Sequence, residues 1–153
     1  MKKIFTLLSL CLICLSAVAQ ISTNESPVSF SLPVDVFKGR MADIKTMPRL
    51  DMEEINVADE HDYQDGMPPR FGYPHKVDFN LLNSGVWTSL PNGDKIWQLS
   101  IICPDALSIN LLYDQFWLPE GAKFFLYTDD QTHMIGAFTS RNNKGSIDKL
   151  QGF

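Results

Sequence analysis

The fold is decided by residues 85–139, which read GVWTSLPNGDKIWQLSIICPDALSINLLYDQFWLPEGAKFFLYTDDQTHMIGAFT. Apolar and polar residues alternate along this stretch in short runs, and turn-forming residues separate the runs. Alternation with a period of two places apolar side chains on one face of a β-strand. The pattern therefore predicts a twisted antiparallel sheet with strands at residues 86–90, 95–103, 106–113, 122–127 and 134–139.

The turns between these runs have the residues that short connections need. Asn92-Gly93 suits a tight hairpin with both residues at positive φ, because Gly lacks a Cβ and Asn tolerates the left-handed region. Pro104-Asp105 ends the second run, because proline cannot donate to a sheet ladder. Short strands joined by such turns predict an all-β fold, an antiparallel β-sandwich of the jelly-roll or immunoglobulin-like kind.

The N-terminus has the pattern of a signal peptide. Lys2 and Lys3 precede an apolar run from Ile4 to Val18, and small residues lie at the recognition positions before Gln20. This pattern predicts cleavage between Ala19 and Gln20. The apolar run is too short for a membrane span, so we expect an exported chain that does not insert into the membrane after cleavage.

The charge of the chain argues against two classes of partner. The formal net charge is −5, and removal of residues 1–19 takes away two lysines and makes it −7. An acidic domain is repelled by nucleic acid and by anionic membranes. We therefore expect no nucleic-acid partner, and the remaining length suits a single domain.

The segment before the sheet has a different composition. Residues 39–74 contain four prolines, few apolar residues and no sustained period, and their middle part is rich in acids. Such a composition predicts an extended or partly ordered acidic arm. The predicted organisation is a signal peptide at 1–19, a β-prone segment with the arm at 20–74, and the sandwich at 75–153.

The acids of the arm do not match a metal site. Asp65-Gly66 resembles part of a calcium loop, but His61 and Tyr63 occupy positions where carboxylates belong. Gly72 stands where the loop needs a bidentate Glu. The sequence therefore predicts a solvated acidic run, with no metal or cofactor.

Three residue groups in the sheet region have two interpretations each. Asp129 and Asp130 fit an ordinary turn, or a contact to a cation or a carbohydrate hydroxyl. Trp87 and Trp117 either pack in the core or form exposed platforms on which sugars stack. Cys103 is the only cysteine after residue 19, and it is either a buried, inert thiol or the partner of a cysteine outside this chain.

No catalytic site can be assembled from these residues. None of the serines after residue 83 lies in a Gly-Asp-Ser-Gly context, and none of the three histidines lies in a catalytic motif. An enzyme needs an activated nucleophile, a metal or a poised acid and base. The sequence therefore predicts no catalytic residue within its 153 residues.

Five blocks of sequence carry a resemblance to a known family: Asn83–Thr88, Asn92–Leu99, Leu107–Leu111, Phe116–Ala122 and Gly136–Thr139. Together they resemble the N-terminal non-catalytic region of secreted bacterial trypsin-like serine peptidases of the lysyl endopeptidase type, particularly their relatives in Bacteroidetes. The resemblance covers roughly half of the chain.

The resemblance implies a propeptide or accessory module that acts on a downstream peptidase domain in cis. It also implies a secreted, periplasmic or cell-surface location in a Gram-negative bacterium. The end of the chain, Ile147 to Phe153, reads as the start of a further strand, so the sequence is expected to be a fragment of a longer precursor. The alternative function is a stand-alone binding module for a glycan or a surface protein.

Overall fold

A computed structural model describes residues 25–33 and 43–152. The predicted signal peptide and its cleavage site at Ala19 and Gln20 lie outside these residues. The first β-prone piece of the sequence, Val28–Phe30, forms a turn of 3-10 helix.

Strands dominate the regular structure of the described residues, which confirms a predominantly β fold. Three strand pairs are antiparallel and one is parallel, and none of these pairs belongs to a closed barrel. The one α-helix of residues 25–33 and 43–152, α1, spans Met52–Gln64. The strands are β1 Ile44–Thr46, β2 Val86–Ser89, β3 Lys95–Gln98, β4 Ser100–Ile102, β5 Leu112–Tyr113, β6 Phe124–Tyr127, β7 Met134–Phe138 and β8 Gln151–Gly152.

The chain divides into two compact units. One contains the described residues within Ser31–Asn110 and includes α1, the hairpin of β2 and β3, and the parallel pair of β1 and β4. The other contains the described residues up to Phe30 and from Leu111 onward, and includes the β5–β8 and β6–β7 pairs.

The acidic arm, which the sequence predicts to be extended or partly ordered, contains a helix over Met52–Gln64, so it is not extended there. Asp51 caps the helix, because its Oδ1 accepts the N–H groups of Glu53 at 3.0 Å and Glu54 at 3.1 Å. The same two glutamates place negative charge beside the positive end of the helix dipole. Gly66 follows the helix at φ +75°, the left-handed conformation that commonly ends helices. No residue of the helix is buried, so α1 forms by local interactions.

The predicted hairpin between the first two runs is present, with a different turn. Strands β2 and β3 pair in an antiparallel register that places Trp87 opposite Trp97. The Leu90 N–H donates to the Asp94 carbonyl at 2.8 Å, and Gly93 has φ +92°. Asn92 is not at positive φ, because Pro91 and Asn92 occupy the two central positions of an ordinary turn and only Gly93 takes the left-handed conformation.

Two predicted strands are shorter than the alternation suggested. The run 95–103 divides into β3 and β4, and the run 106–113 is a strand only at its end, in β5. Leu107 is fully exposed, with a relative exposure of 105%. Asp105 turns the chain at φ +63°, and no described strand pairs with residues 106–111. A segment with alternating residues but no neighbouring strand makes no ladder hydrogen bonds, so it does not form a strand.

An aromatic cluster forms the centre of the unit that contains β5 to β8. The Phe124 ring lies 5.8 Å from both the Tyr113 and Phe116 rings and 6.1 Å from the Phe138 ring, measured between centroids. The contacts to Tyr113 and Phe116 are edge-to-face, which is a favourable arrangement for aromatic pairs. Phe116 is buried, and burial raises the pKa of Tyr113 to about 12. The rings of Phe124 and its neighbours therefore hold this unit together.

We predict that Phe124→Ala lowers the free energy of unfolding by about 3 kcal/mol, because it removes the ring that contacts the three others. The control is Phe71→Ala, since the Phe71 side chain is 93% exposed and its loss should change stability by less than about 0.5 kcal/mol. Urea unfolding of both variants measures the difference. Equal stabilities would show that the cluster does not hold the unit.

Candidate functional site

The two turn aspartates lie in the connection between β6 and β7. Asp130 Oδ1 accepts three hydrogen bonds, from the Thr128 hydroxyl at 2.5 Å, the Thr132 N–H at 3.1 Å and the Thr132 hydroxyl at 2.9 Å. The hydrogen bond from the Thr128 hydroxyl, and after it the bonds from Thr132, lower the pKa of Asp130 from 3.8 to about 2. Hydrogen bonds to the charged form of a carboxyl have this effect. Asp130 is therefore an anionic anchor of the hairpin turn.

A chain of hydrogen bonds continues from Asp130 to the imidazole of His133, a residue that the sequence did not indicate as part of a site. The Thr132 hydroxyl lies 2.9 Å from His133 Nδ1. Because the Thr132 hydroxyl donates its one hydrogen to the Asp130 carboxylate, the Thr132 oxygen accepts from His133, which places the ring hydrogen on Nδ1. The signal in the sequence is Thr128-Asp-Asp-Gln-Thr-His133, where two hydroxyl residues flank the aspartates at turn spacing.

This arrangement resembles a relay of carboxylate, hydroxyl and imidazole, but it lacks the surroundings that catalysis needs. Asp130, Thr132 and His133 are all exposed on the surface of the hairpin. A reactive group gains from a cleft that excludes water and places a substrate beside it. The arrangement as it stands can hold the turn and offer hydrogen bonds to a ligand in solvent.

The two tryptophans with open interpretations are both about half exposed. Trp87 is 45% exposed, and its Nε1 donates to the Leu81 carbonyl at 3.0 Å. Trp117 is 52% exposed and follows the buried Phe116. The backbone after Trp117 is fixed by Asn143, whose side chain accepts from the Leu118 N–H and donates to the Leu118 carbonyl, each at 2.8 Å. Each tryptophan thus presents part of its ring to solvent from a fixed backbone. They belong to different units of the chain.

Trp97 has a structural role. Its side chain is half-buried, and its Nε1 donates to the Ser84 carbonyl at 2.8 Å. A Cβ on Gly85 would lie 2.4 Å from the Trp97 ring, so the ring packs directly on the glycine backbone. Gly85 itself has φ +76° and donates its N–H to Asp43 Oδ2 at 2.7 Å. This bond, and then the Lys45 ammonium, lower the pKa of Asp43.

Cys103 is a half-buried free thiol that directly follows β4. Its carbonyl accepts the Ala106 N–H in the turn that contains Pro104 and Asp105. The prediction of an inert thiol and the alternative of a disulfide to an outside cysteine both stay predictions.

The described part of the chain contains no group of three or more His, Cys, Asp or Glu side chains arranged to hold a metal ion. His61, in the acidic run, has its Nδ1 3.3 Å from Oδ2 of Asp65, the residue that caps the C-terminal end of α1. Two further carboxylates of α1, those of Asp59 and Asp62, face Arg70, whose guanidinium approaches them to 2.7 and 3.8 Å. Asp59 and Asp62 therefore form ion pairs with Arg70.

Within residues 25–33 and 43–152, no helix combines the length and the apolar character that crossing a membrane requires. No family model matches the chain, and no solved structure matches it.

We predict that the Asp130 carboxyl titrates near pH 2 and that Thr128→Val raises this midpoint towards 3.8, because the variant removes the main donor to the carboxylate. The pKa of Asp130 is lower in the folded state than in the unfolded state, so the ionised carboxylate stabilises the fold. This stabilisation is present at neutral pH and is lost as the pH falls from about 4 through 2. Carbon-detected NMR titration measures the midpoint.

The control for this titration is Thr46→Val, a change in β1 that alters no hydrogen-bond donor of Asp130. The Asp130 midpoint should be unchanged in this variant. A wild-type midpoint near 3.8 would show that the three hydrogen bonds do not form in solution.

Proposed function

We propose that the chain is the non-catalytic N-terminal pro- or accessory region of a secreted trypsin-like serine endopeptidase of the lysyl endopeptidase type. In this role it assists the folding of the downstream catalytic domain in cis, or inhibits that domain. The setting is the periplasm, the cell surface or the exterior of a Gram-negative bacterium. The proposal begins from the five sequence blocks, which carry the resemblance.

The observation that supports it most is how little apolar surface the described residues bury. Apart from Pro27, their buried apolar residues are Met47, Phe116 and Ala137, and no large side chain among them is fully buried. Phe71, Leu82 and Leu107 are exposed at 93%, 98% and 105%. Large exposed apolar surfaces are typical of proteins that bind another polypeptide. A pro-region acts by burying such surface against its catalytic domain.

The finer architecture belongs to the same proposal. We infer an antiparallel β-sandwich of the jelly-roll or immunoglobulin-like kind over residues 75–153. The antiparallel pairs β2–β3, β5–β8 and β6–β7 all fall within this range and support it.

The alternative is a stand-alone module that binds a glycan or a surface protein. The partly exposed rings of Trp87 and Trp117 favour it, because aromatic faces stack on sugar rings. Asp129 and Asp130 would add hydrogen-bond acceptors for hydroxyl groups. In this case the chain would act without a peptidase.

We predict that the chain itself cleaves no peptide, ester or glycoside substrate, but changes the behaviour of its own peptidase domain. Added to that domain, it should slow cleavage of a Lys-containing peptide or raise the yield of active enzyme on refolding. The effect should saturate with concentration, because it depends on a stoichiometric complex. An unrelated serine peptidase is the control and should not respond.

Two matched variants test whether the exposed apolar side chains bind the peptidase domain. Phe71→Glu changes a side chain that is 93% exposed, so folding should persist while the concentration needed for half the effect rises about tenfold or more. Ser108→Glu adds the same charge at an exposed polar position and should be close to wild type. The contrary result is that the chain has no effect on the cognate peptidase and instead binds a glycan array, with that binding lost in Trp87→Ala or Trp117→Ala. That result would replace the pro-region function with the binding-module function.

A further inference from the structure

Residues 67–80 connect α1 to the following turn without any helix or strand. Pro68, Pro69 and Pro74 restrict the backbone of this segment, and each pushes the residue before it towards an extended conformation. All but two of its residues are exposed. From Pro68 to Lys76 the backbone makes no hydrogen bond to another described residue. We name residues 67–80 the connecting segment.

The two basic residues of the connecting segment are held differently. Arg70 Nε lies 2.7 Å from Asp59 Oδ1, its Nη2 lies 3.8 Å from Asp62 Oδ2, and its side chain is only 31% exposed. Lys76 is exposed, and its side chain makes no ion pair or hydrogen bond with any described residue. Arg70 is thus tied to α1, while Lys76 is free to enter a binding pocket.

An endopeptidase that cleaves after Lys or Arg has two structural requirements. It takes the basic side chain into a deep specificity pocket, and it pairs with an extended stretch of substrate backbone on either side. Lys76 meets the first requirement, because its side chain makes no ion pair or hydrogen bond with a described residue. It meets the second because the backbone from Pro68 through Val77 makes no hydrogen bond to another described residue, and pairing begins again only at the Asp78 carbonyl, which accepts from Asn83 Nδ2 at 3.0 Å.

The other basic residues of the described chain fail at least one requirement. Each of them lies in regular structure or a turn, or has its side chain in an ion pair or hydrogen bond. These residues are Lys45 in β1, Arg49 paired with Asp105, Lys95 in β3, Lys123 paired with Glu25, Arg141 in a 3-10 helix, Lys144 bonded to the Leu150 carbonyl and Lys149 in a turn with Ser146.

We propose that the Lys76–Val77 peptide bond is a processing site for an endopeptidase that cleaves after Lys or Arg. Water adds across the bond, the C–N bond breaks, and the products are a carboxylate on Lys76 and an amino group on Val77. The site goes beyond the proposed function, because any endopeptidase of this specificity that meets the exported chain would use it.

The two products stay together after cleavage. Strand β1 lies before the cut, and its parallel partner β4 lies after it. The Met47 N–H donates to the Ile102 carbonyl at 2.8 Å, and the Ser100 N–H donates to the Asp43 carbonyl at 2.9 Å. Asp43 also accepts the Gly85 N–H at 2.7 Å. Cleavage therefore gives a nicked complex in which β1 remains attached to β4.

The test is brief digestion of the full chain with trypsin, followed by N-terminal sequencing and intact mass of the products. Among cuts that fall after Asp43, the first new N-terminus should be Val77. The two fragments should elute together from a size-exclusion column in native buffer and separate in denaturant. Lys76→Gln should slow formation of the first product about tenfold or more, while Lys76→Arg should retain the wild-type cut.

A double variant tests why Arg70 is not used. Asp59→Asn with Asp62→Asn removes both partners of Arg70, so a second early product that begins at Phe71 should appear. The proposal is wrong if the first cut after Asp43 falls elsewhere, or if Lys76→Gln is digested as fast as the wild type. Fragments that separate in native buffer would contradict the retention of β1, and absence of the Phe71 product would contradict the protection of Arg70.

Discussion

The arrangement of β1 to β4 depends on the close approach between Gly85 and the Trp97 ring. The ring fits only because Gly85 has no Cβ, and the positive φ of the glycine directs its N–H to Asp43. Trp97 in turn donates to the Ser84 carbonyl, and the Asp43 carbonyl accepts from Ser100 at the start of β4. This one junction therefore links the β2–β3 hairpin to the parallel pair of β1 and β4.

Elsewhere in the described chain, local hydrogen bonds fix the backbone at positions that a larger apolar core would fix in other domains. Asp51 caps α1, Asp130 holds the β6–β7 turn, and Asn143 fixes the backbone at Leu118. Each such bond, made at or near the surface, contributes little to stability, and the described residues bury few apolar side chains. A chain held in this way leaves many of its large apolar side chains exposed to solvent.

The sequence was informative where turn chemistry and alternation agreed. The β2–β3 hairpin, β6 and β7 all lie where alternating runs meet strong turn residues. The acidic run was misread because its composition resembles a disordered segment, although Asp51 with Glu54 three residues later is a helix-start signal. The pairing of β1 with β4 joins short strands far apart in the chain, and local patterns carry no information on such pairs.

The candidate site was predictable only in its location. Alternation and turn residues placed Asp129 and Asp130 in a hairpin, where the structure has them. The hydrogen bonds from Thr128 and Thr132, and the contact between Thr132 and His133, depend on the conformation of the turn at Gln131, which has φ +58°. A positive φ at a residue other than Gly or Asn is uncommon, so sequence alone does not predict it.

The most direct test of the junction is the stability of Gly85→Ala beside that of Gly93→Ala. Both glycines have positive φ, but only a Cβ at Gly85 meets other atoms, at 2.4 Å from the Trp97 ring, and Gly93 has open space around it. Gly93→Ala should cost about 1 kcal/mol from backbone strain alone. Gly85→Ala should cost more than about 3 kcal/mol and change the Trp fluorescence, because the ring must move. Equal losses in the two variants would contradict the central place of the Gly85 and Trp97 contact.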